Sequence, residues 1–338
     1  MRRLFTCVAV CLCWSTLQAQ KPIGPPSPTP TTKVSTPCVA VMIDDLVGCL
    51  RGNEQSPTII SGVTSLFHIL APTSDVFNPD QKHGGLNWEH VMRLRGMGNP
   101  FGKPSGCWFT PRTGTLTIAK LNARTVQLTR PAVDPCFPGL SAVLTYTFEG
   151  SAVTLTAVFH VANATPFQPE GSFGVFFASY MGLTQEVALH ARGIASAGAP
   201  ETWLTLNGGS GSGGTYMHAD ASQLVYNSTG DGGELNIAVF DYPRYTQPFY
   251  AVRLQSGLTY CAMFDTAFTA SKEVRFSLFK FFVKDPNNPS NFYPAADWQV
   301  WFHGVQSGGD YSFTMRADLI ASHDVNACLA SYQAWGGQ

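Results

Sequence analysis

The side chains best suited to proton-transfer chemistry are a small set of carboxylates and histidines. Glu89 and Asp265 are the candidate bases, and His90 and His190 are the candidate acids. A base and an acid of these types suit epimerisation or lyase chemistry, because both reactions transfer a proton at carbon. A glycosidase would instead need two facing carboxylates. Glu89, Asp265 and Asp297 are available for that role, but no spacing pairs them.

Residues 84–112 form a segment rich in glycine and proline that holds candidate ligand-binding groups. Asn87 and Trp88 lie near its start, and Arg112 ends it. A sugar site needs an aromatic ring for stacking and hydrogen-bond donors around it. Trp298, much later in the chain, is a further stacking candidate. The segment also fits a structural loop whose tryptophans plug the end of a sandwich and whose charges form ion pairs.

A second candidate binding surface is the alternating stretch 186–193. Val187, Leu189 and Ala191 face one way, while His190 and Arg192 face the other. A histidine and an arginine side by side on a sheet face suit an anionic or hydroxyl-rich ligand. The alternative is that both are solvated residues of an edge strand.

The elements that would position these groups are strands, and the hairpin at 140–161 shows this best. Every second residue is apolar on both sides of Gly150-Ser151, which fits a two-residue turn because glycine tolerates a positive φ. Turn and hydrophobic phase select one register, which pairs Phe148 with Val153, Tyr146 with Leu155, Leu144 with Ala157, Thr147 with Thr154 and Thr145 with Thr156.

Further strands follow along most of the chain. The stretch 173–180 is almost continuously apolar, as in a strand covered on both faces. The stretch 311–319 alternates, with Asp318 among its outward positions. A short helix is predicted over 324–335, capped by Ser322 or Asp324. More than a dozen strands and hardly any helix predict an all-β fold, a large two-sheet antiparallel sandwich.

The N-terminal region reads as an export signal followed by a tether. Residues 1–19 have a basic start, a short apolar stretch and a small residue, Ala19, before a cleavage point, which is typical of a secretory signal peptide. Residues 20–37 are rich in Pro and Thr and predict a disordered tether. Residues 38–338 are then a single sandwich domain, and we expect a periplasmic or extracellular location. No other segment is long and apolar enough for a membrane helix.

The composition and the number of cysteines limit the possible functions further. Removing residues 1–19 takes away two arginines and no acid, so the formal charge goes from −1 to −3. With 13% charged residues and no basic run, a nucleic-acid partner is not expected. Neither a cofactor nor a metal site is predicted, because no Cys/His cluster has zinc-like spacing. Six cysteines remain, an even number that suggests disulfides. Fifteen connectivities are possible; spacing permits Cys38–Cys49, Cys107–Cys136 and Cys261–Cys328.

Several segments in a shared order resemble an uncharacterised family of exported bacterial proteins, common in planctomycete-like and related bacteria. They are GLNWEH at 85–90, TPR at 110–112, FFASY at 176–180, the His190/Arg192 strand with Trp203, ADWQ at 296–299 and the strand at 311–316. That family is similar to the galactose mutarotase-like supersandwich group, which includes aldose epimerases and the sandwich domains of polysaccharide lyases and some glycosidases. The resemblance implies a sugar partner on a concave sheet face.

The chain departs from the epimerases where their catalytic groups lie. Those enzymes use a late glutamate as base and a pair of histidines. The last glutamate here is Glu273, which lies in no matching motif, and His160 and His190 do not align with the epimerase histidines. The resemblance therefore implies the fold and a carbohydrate context without a catalytic set.

Two functions from different classes remain. The first is an exported sandwich that binds or processes a carbohydrate, as an epimerase or polysaccharide lyase if it is an enzyme. The second is a non-catalytic structural or interaction protein of the cell envelope, which the low charge, the expected disulfides and the tether suit. A jelly-roll capsid protein fits the strand count, but the signal peptide argues against it.

Overall fold

The computed structural model describes residues 38–52, 62–77, 87–91, 116–132, 139–163, 173–182, 184–186, 188–207, 214–218, 224–227, 244–265, 272–281, 293–302, 305 and 308–336. The predicted leader and tether, Arg112, Cys107 and Cys136 lie outside them. The elements are β1 (Val39–Ile43), β2 (Leu46–Arg51), β3 (Gly62–His68), β4 (Asn87–Val91), β5 (Thr117–Lys120), β6 (Thr125–Arg130), β7 (Leu140–Glu149), β8 (Ala152–Val161), β9 (Phe173–Tyr180), β10 (Ala188–Ile194), β11 (Glu201–Asn207), β12 (Gly214–His218), β13 (Leu224–Asn227), β14 (Arg244–Arg253), β15 (Thr259–Phe264), β16 (Lys272–Phe281), β17 (Tyr293–Phe302), β18 (Gly309–Ile320) and α1 (Val325–Trp335).

The described strands form two large antiparallel sheets and one small one. The nine-stranded sheet has the order β11-β10-β14-β15-β18-β8-β7-β6-β5, and the six-stranded sheet has the order β13-β12-β16-β17-β9-β4. A three-stranded sheet, β1-β2-β3, completes the fold. The predicted all-β sandwich is confirmed.

The predicted hairpin is confirmed with its register. Phe148 pairs with Val153, and the threonine pairs lie on the other face. Gly150 has φ 58°, as the turn requires. Its N–H donates to Asp44 Oδ2 at 2.9 Å, and Arg124 Nη1 donates to the same oxygen at 3.0 Å. These bonds tie the hairpin turn to the turn between β1 and β2.

Replacing Gly150 with alanine should lower the free energy of unfolding by about 1 kcal/mol. No atom lies within 4 Å of the added methyl group, so the cost is that of holding an L-residue at positive φ. Urea unfolding measures it, with Ser151→Ala as the control in the same turn. An unchanged midpoint for Gly150→Ala would show that the turn adopts another conformation.

The main core fills the space between the sheets. Leu155, Phe159 and Phe313 from the nine-stranded sheet and Val175 and Val300 from the six-stranded sheet are buried in one apolar cluster. Leu46 and Leu66 of the small sheet belong to the same cluster. The core-facing side of each large sheet is hereafter its inner face, and the opposite side is its outer face.

Helix α1 covers part of the outer face of the nine-stranded sheet. Asp324 caps its first turn by accepting from the Asn326 N–H at 2.9 Å, and Gly336 ends it at φ 116°. Cys328 is bonded to Cys261 of β15, and the Tyr332 ring lies 5.0 Å from that of Phe249. The predicted helix is thus confirmed. Among the described residues, no helix is long and apolar enough to cross a membrane.

Two of the three expected disulfides are present among the described cysteines. Cys38–Cys49 joins the start of β1 to β2, with 5.7 Å between the Cα atoms, and Cys261–Cys328 spans 5.8 Å. The third expected pair lies outside the described residues and stays a prediction.

One outward position differs from the sequence expectation. Asp318 lies on the outer face as predicted, but it is only 2% exposed. It accepts hydrogen bonds from Arg316 Nε at 3.0 Å and from Ser331 Oγ of α1. The reason is that α1, whose position is set by long-range packing, covers this part of the face.

Candidate functional site

The predicted residues His190 and Arg192 lie on the outer face of the nine-stranded sheet, beside α1. Both alternate with Leu189 and Ala191, which are fully buried in the main core. β10 is an interior strand between β11 and β14. The picture of two solvated edge residues is therefore wrong, because His190 is only 5% exposed.

His190 is held between a carboxylate and a hydroxyl. Its Nε2 lies 2.5 Å from Glu186 Oε1, and its Nδ1 lies 3.2 Å from Thr205 Oγ1. Arg253 Nη1 donates to the same Glu186 oxygen at 3.1 Å. These four residues, Glu186, His190, Thr205 and Arg253, are called the His190 cluster below.

The chemistry of the partners fixes how the neutral imidazole is protonated. An ionised carboxylate only accepts, so the ring hydrogen lies on Nε2 and is donated to Glu186. Nδ1 is then the acceptor for the Thr205 hydroxyl. The arrangement places Nδ1 of the His190 imidazole, a base, against the Thr205 hydroxyl. Glu186 orients the imidazole through its other nitrogen, Nε2.

The loop before α1 steadies the cluster from the far side. Arg253 Nε donates to the His323 carbonyl at 3.1 Å, and His323 Nε2 donates to the Leu254 carbonyl at 2.5 Å. Arg253 thereby supports Glu186 with both charge and position. The cluster's geometry depends on where the C-terminal segment docks.

Arg192 belongs to a neighbouring ion pair. Its Nη2 donates to Glu201 Oε2 at 2.8 Å, and its guanidinium lies 5.6 Å from the Trp203 ring centroid. Burial alone would raise the pKa of Glu201, but hydrogen bonds from Thr246 and Arg192, together with the Arg192 charge, bring it below its ordinary value. Arg192 and Glu201 thus stabilise each other as an ion pair.

The remaining predicted residues lie elsewhere in the fold. Asn87, Trp88, Glu89 and His90 are in β4, at the edge of the six-stranded sheet, and Trp298 is in β17 of that sheet. Asp265 follows β15 in the nine-stranded sheet, where its N–H donates to the Thr314 carbonyl at 2.8 Å. The β4 residues therefore lie in a different sheet from His190 and Arg192 and do not share a sheet face with them. The sequence of a five-residue strand does not indicate which distant strand it will pair with.

The register of the six-stranded sheet brings other polar residues together. One row runs across five strands and holds His90, Phe176, Gln299, Arg275 and His218. A neighbouring row holds Asn87, Ala178, Asp297, Ser277 and Tyr216. These positions alternate with those of Val175, Ser179 and Val300, which are buried. The period of two places both rows on the outer face; together they are called the polar rows below.

Two features of this sheet were not expected from the sequence. Trp298 is two residues from Val300, so its position lies on the inner face, opposite the polar rows. Glu89 falls at an irregularity in the pairing of β4 with β9. Arg275 and His218 were not singled out, although the alternation of Arg275 and Ser277 with Val274 and Phe276 was a usable signal.

Comparison with known proteins shows which solved structures have a similar fold. No family model matches the sequence, and no curated protein matches it. Among solved structures, a putative aldose 1-epimerase from Escherichia coli K12 superposes with a TM-score of 0.50 at 9% identity, covering 84% of this chain and 98% of that one. The chain has the galactose mutarotase-like fold.

Two more structures of related architecture align less closely. A galactose mutarotase-like protein from Lactobacillus casei has a TM-score of 0.39 at 8% identity, covering 84% of this chain and 100% of that one. An α-N-acetylgalactosaminidase from Bifidobacterium bifidum, in complex with GalNAc, has a TM-score of 0.46 at 12% identity, covering 88% of this chain and 38% of that one. At such identities the likeness concerns the fold.

Proposed function

We propose that this protein is an exported, carbohydrate-associated β-sandwich that binds a sugar on the outer face of the six-stranded sheet. The observation that carries the proposal is the pair of polar rows. Histidine, arginine, glutamine, aspartate and asparagine come together there on one sheet face from five strands. The fold supports the same context, because the superposed structure from Escherichia coli K12 is named a putative aldose 1-epimerase.

The residue types in the rows suit a hydroxyl-rich ligand. Arginine, glutamine and asparagine are residue types that can donate hydrogen bonds to sugar hydroxyls, and aspartate is one that can accept them. The rows also include the aromatic residues Phe176 and Tyr216, and sugar rings present apolar faces that stack on aromatic rings. The mixture of a few polar groups with aromatic surface is typical of small-ligand sites.

The same rows provide the groups for proton transfer at carbon. His90 and His218 are candidate acids and Asp297 is a candidate base, of the kind an epimerase or lyase requires. Catalysis is a further step beyond binding, and Glu89 remains a candidate base because it lies in β4 beside His90.

A sugar that binds this face should raise the melting temperature of the protein, and Arg275→Ala should abolish the shift. A ligand at 100 times its dissociation constant adds about 2.7 kcal/mol to stability. Neutral sugars, uronic acids and oligosaccharides are the panel for a thermal-shift screen. Arg192→Ala is the matched control, because Arg192 lies on the other large sheet.

The two arginine variants decide where the ligand lies. Loss of the shift only in Arg192→Ala would move the site to the nine-stranded sheet, and loss in neither variant would contradict a site that includes Arg275. No shift with any member of the panel, in a protein that unfolds cooperatively, would contradict carbohydrate binding.

An interaction protein of the cell envelope is the second candidate. It is favoured by the ion pairs of His190 with Glu186 and of Arg192 with Glu201, since groups already paired with protein neighbours are less available to hydrogen-bond a sugar. Recovery of a specific protein partner, together with a negative sugar screen, would support this candidate.

A further inference from the structure

We propose that Thr205 is the nucleophile of an acyl-transfer site, activated by His190 and Glu186, with esters as its substrate class. This site lies on the nine-stranded sheet and is independent of the sugar site proposed on the six-stranded sheet. The inference rests on the His190 cluster and not on the polar rows.

The geometry is that of a nucleophile, a base and a group that orients the base. Thr205 Oγ1 lies 3.2 Å from His190 Nδ1, and His190 Nε2 lies 2.5 Å from Glu186 Oε1. Both contacts fall at or near hydrogen-bond reach, which is the signature of an activated hydroxyl. Arg253 Nη1 donates to Glu186 Oε1 at 3.1 Å and holds the carboxylate in place.

The proposed nucleophile is exposed and the proposed base is buried, as such a site requires. Thr205 is exposed on β11, the edge strand of the nine-stranded sheet. His190 is only 5% exposed, so its ring is largely shielded from water. A substrate can therefore approach the threonine from solvent while the base stays fixed.

A positive charge lies on the same sheet face, one register step from His190 and Thr205. Arg192 pairs with Trp203 just as His190 pairs with Thr205, and all four positions share the outer face. Arg192 Nε is buried and has no hydrogen-bond partner among the described residues. Because this nitrogen is out of contact with solvent, Arg192 would act on a developing oxyanion through its positive charge and not through a hydrogen bond from Nε.

The proposed reaction is balanced with water as the second substrate. Thr205 Oγ forms a bond to the ester carbonyl carbon as its proton moves to His190 Nδ1. The bond to the leaving alcohol then breaks, and His190 returns the proton to that oxygen. Water cleaves the acyl-threonine by the same proton route, releasing the acid. Glu186 stays ionised throughout and stabilises the imidazolium.

Covalent labelling of the full-length protein tests the proposal. A fluorophosphonate probe should modify Thr205, as located by fragmentation of the labelled peptide in a mass spectrometer. Thr205→Val keeps the shape and removes the hydroxyl, so it should lose this label. Glu186→Gln should slow labelling at least 100-fold, within the range that acid–base assistance contributes, and Thr205→Ser should retain it.

The control is Thr156→Val, which removes another exposed strand threonine that pairs with threonines and not with histidine. It should label at the wild-type rate. Circular dichroism establishes that each variant is folded, and the exposed position of Thr205 makes misfolding of Thr205→Val a minor concern. No modification of Thr205 in the folded wild-type protein, or equal labelling in Glu186→Gln, would overturn the proposal.

Discussion

Replacing Asp75 with asparagine is expected to raise the free energy of unfolding at pH 8 by roughly 4 kcal/mol and to leave it nearly unchanged at pH 4. Burial raises the pKa of Asp75 to about 7, although the N–H groups of Leu66 and Phe77, which donate to its Oδ1 at 2.9 and 3.1 Å, act in the opposite direction. The other carboxyl oxygen, Oδ2, is buried without a hydrogen-bond partner.

The sign follows from proton binding in the two states. Between pH 4 and pH 7 the folded protein keeps the Asp75 proton that the unfolded chain releases, so stability falls as the pH rises through this range. Asparagine keeps the oxygen that accepts both N–H groups and carries no charge, so it removes that loss.

Urea unfolding of both proteins at pH 4, 6 and 8 measures the difference. Asp44→Asn is the matched control, because the pKa of Asp44 is lowered by the Gly150 N–H and not raised. Parallel stability profiles for wild type and Asp75→Asn would show that Asp75 has the same pKa in the folded and unfolded states.

Removing the Cys261–Cys328 disulfide is expected to lower the free energy of unfolding by about 4 kcal/mol. The bond closes a loop of 67 residues, and the chain-entropy relation gives this cost for a loop of that length. It also holds α1 over Asp318, Phe249 and Trp203. Its loss should therefore loosen the helix before the sheets.

The double variant Cys261→Ala/Cys328→Ala tests this without leaving a free thiol. Hydrogen exchange at the amides of α1 and denaturant unfolding are the two measurements. The Cys38→Ala/Cys49→Ala variant is the control, since its bond closes a short loop in the three-stranded sheet, which α1 does not cover. Protection of α1 equal to that of the wild type would show that packing alone holds the helix.

How far the sequence predicts this fold depends on the range of the contacts involved. The register between Phe148 and Val153 was predictable because Gly150 and the alternation act within a few residues. The burial of Asp318 was not, because it depends on a helix whose position is fixed through the distant Cys261. Patterns within one strand give its faces, but they do not say what covers each face.

The candidate sites, too, were predictable where they depend on local pattern and not where they depend on long-range contacts. Alternation correctly put His190 and Arg192 on one face, but Glu186 and Thr205 reach His190 only once the segment before β10 and the strand β11 are in place. The pairing of β4 with β9 joins residues about ninety positions apart in the chain, so no local pattern assigns Asn87 and His90 to the sheet of Arg275. Long-range pairing therefore sets which polar residues share a surface.

The disulfide at the beginning of the described chain has a mechanical consequence. β1 is an outer strand of the small sheet, and a pull on an outer strand from its end would peel it away one pair at a time. Cys38 is bonded to Cys49 of β2, the middle strand. Tension applied to the segment before Cys38 is therefore transmitted into β2, which is paired on both sides. Under reducing conditions the same tension would unzip β1.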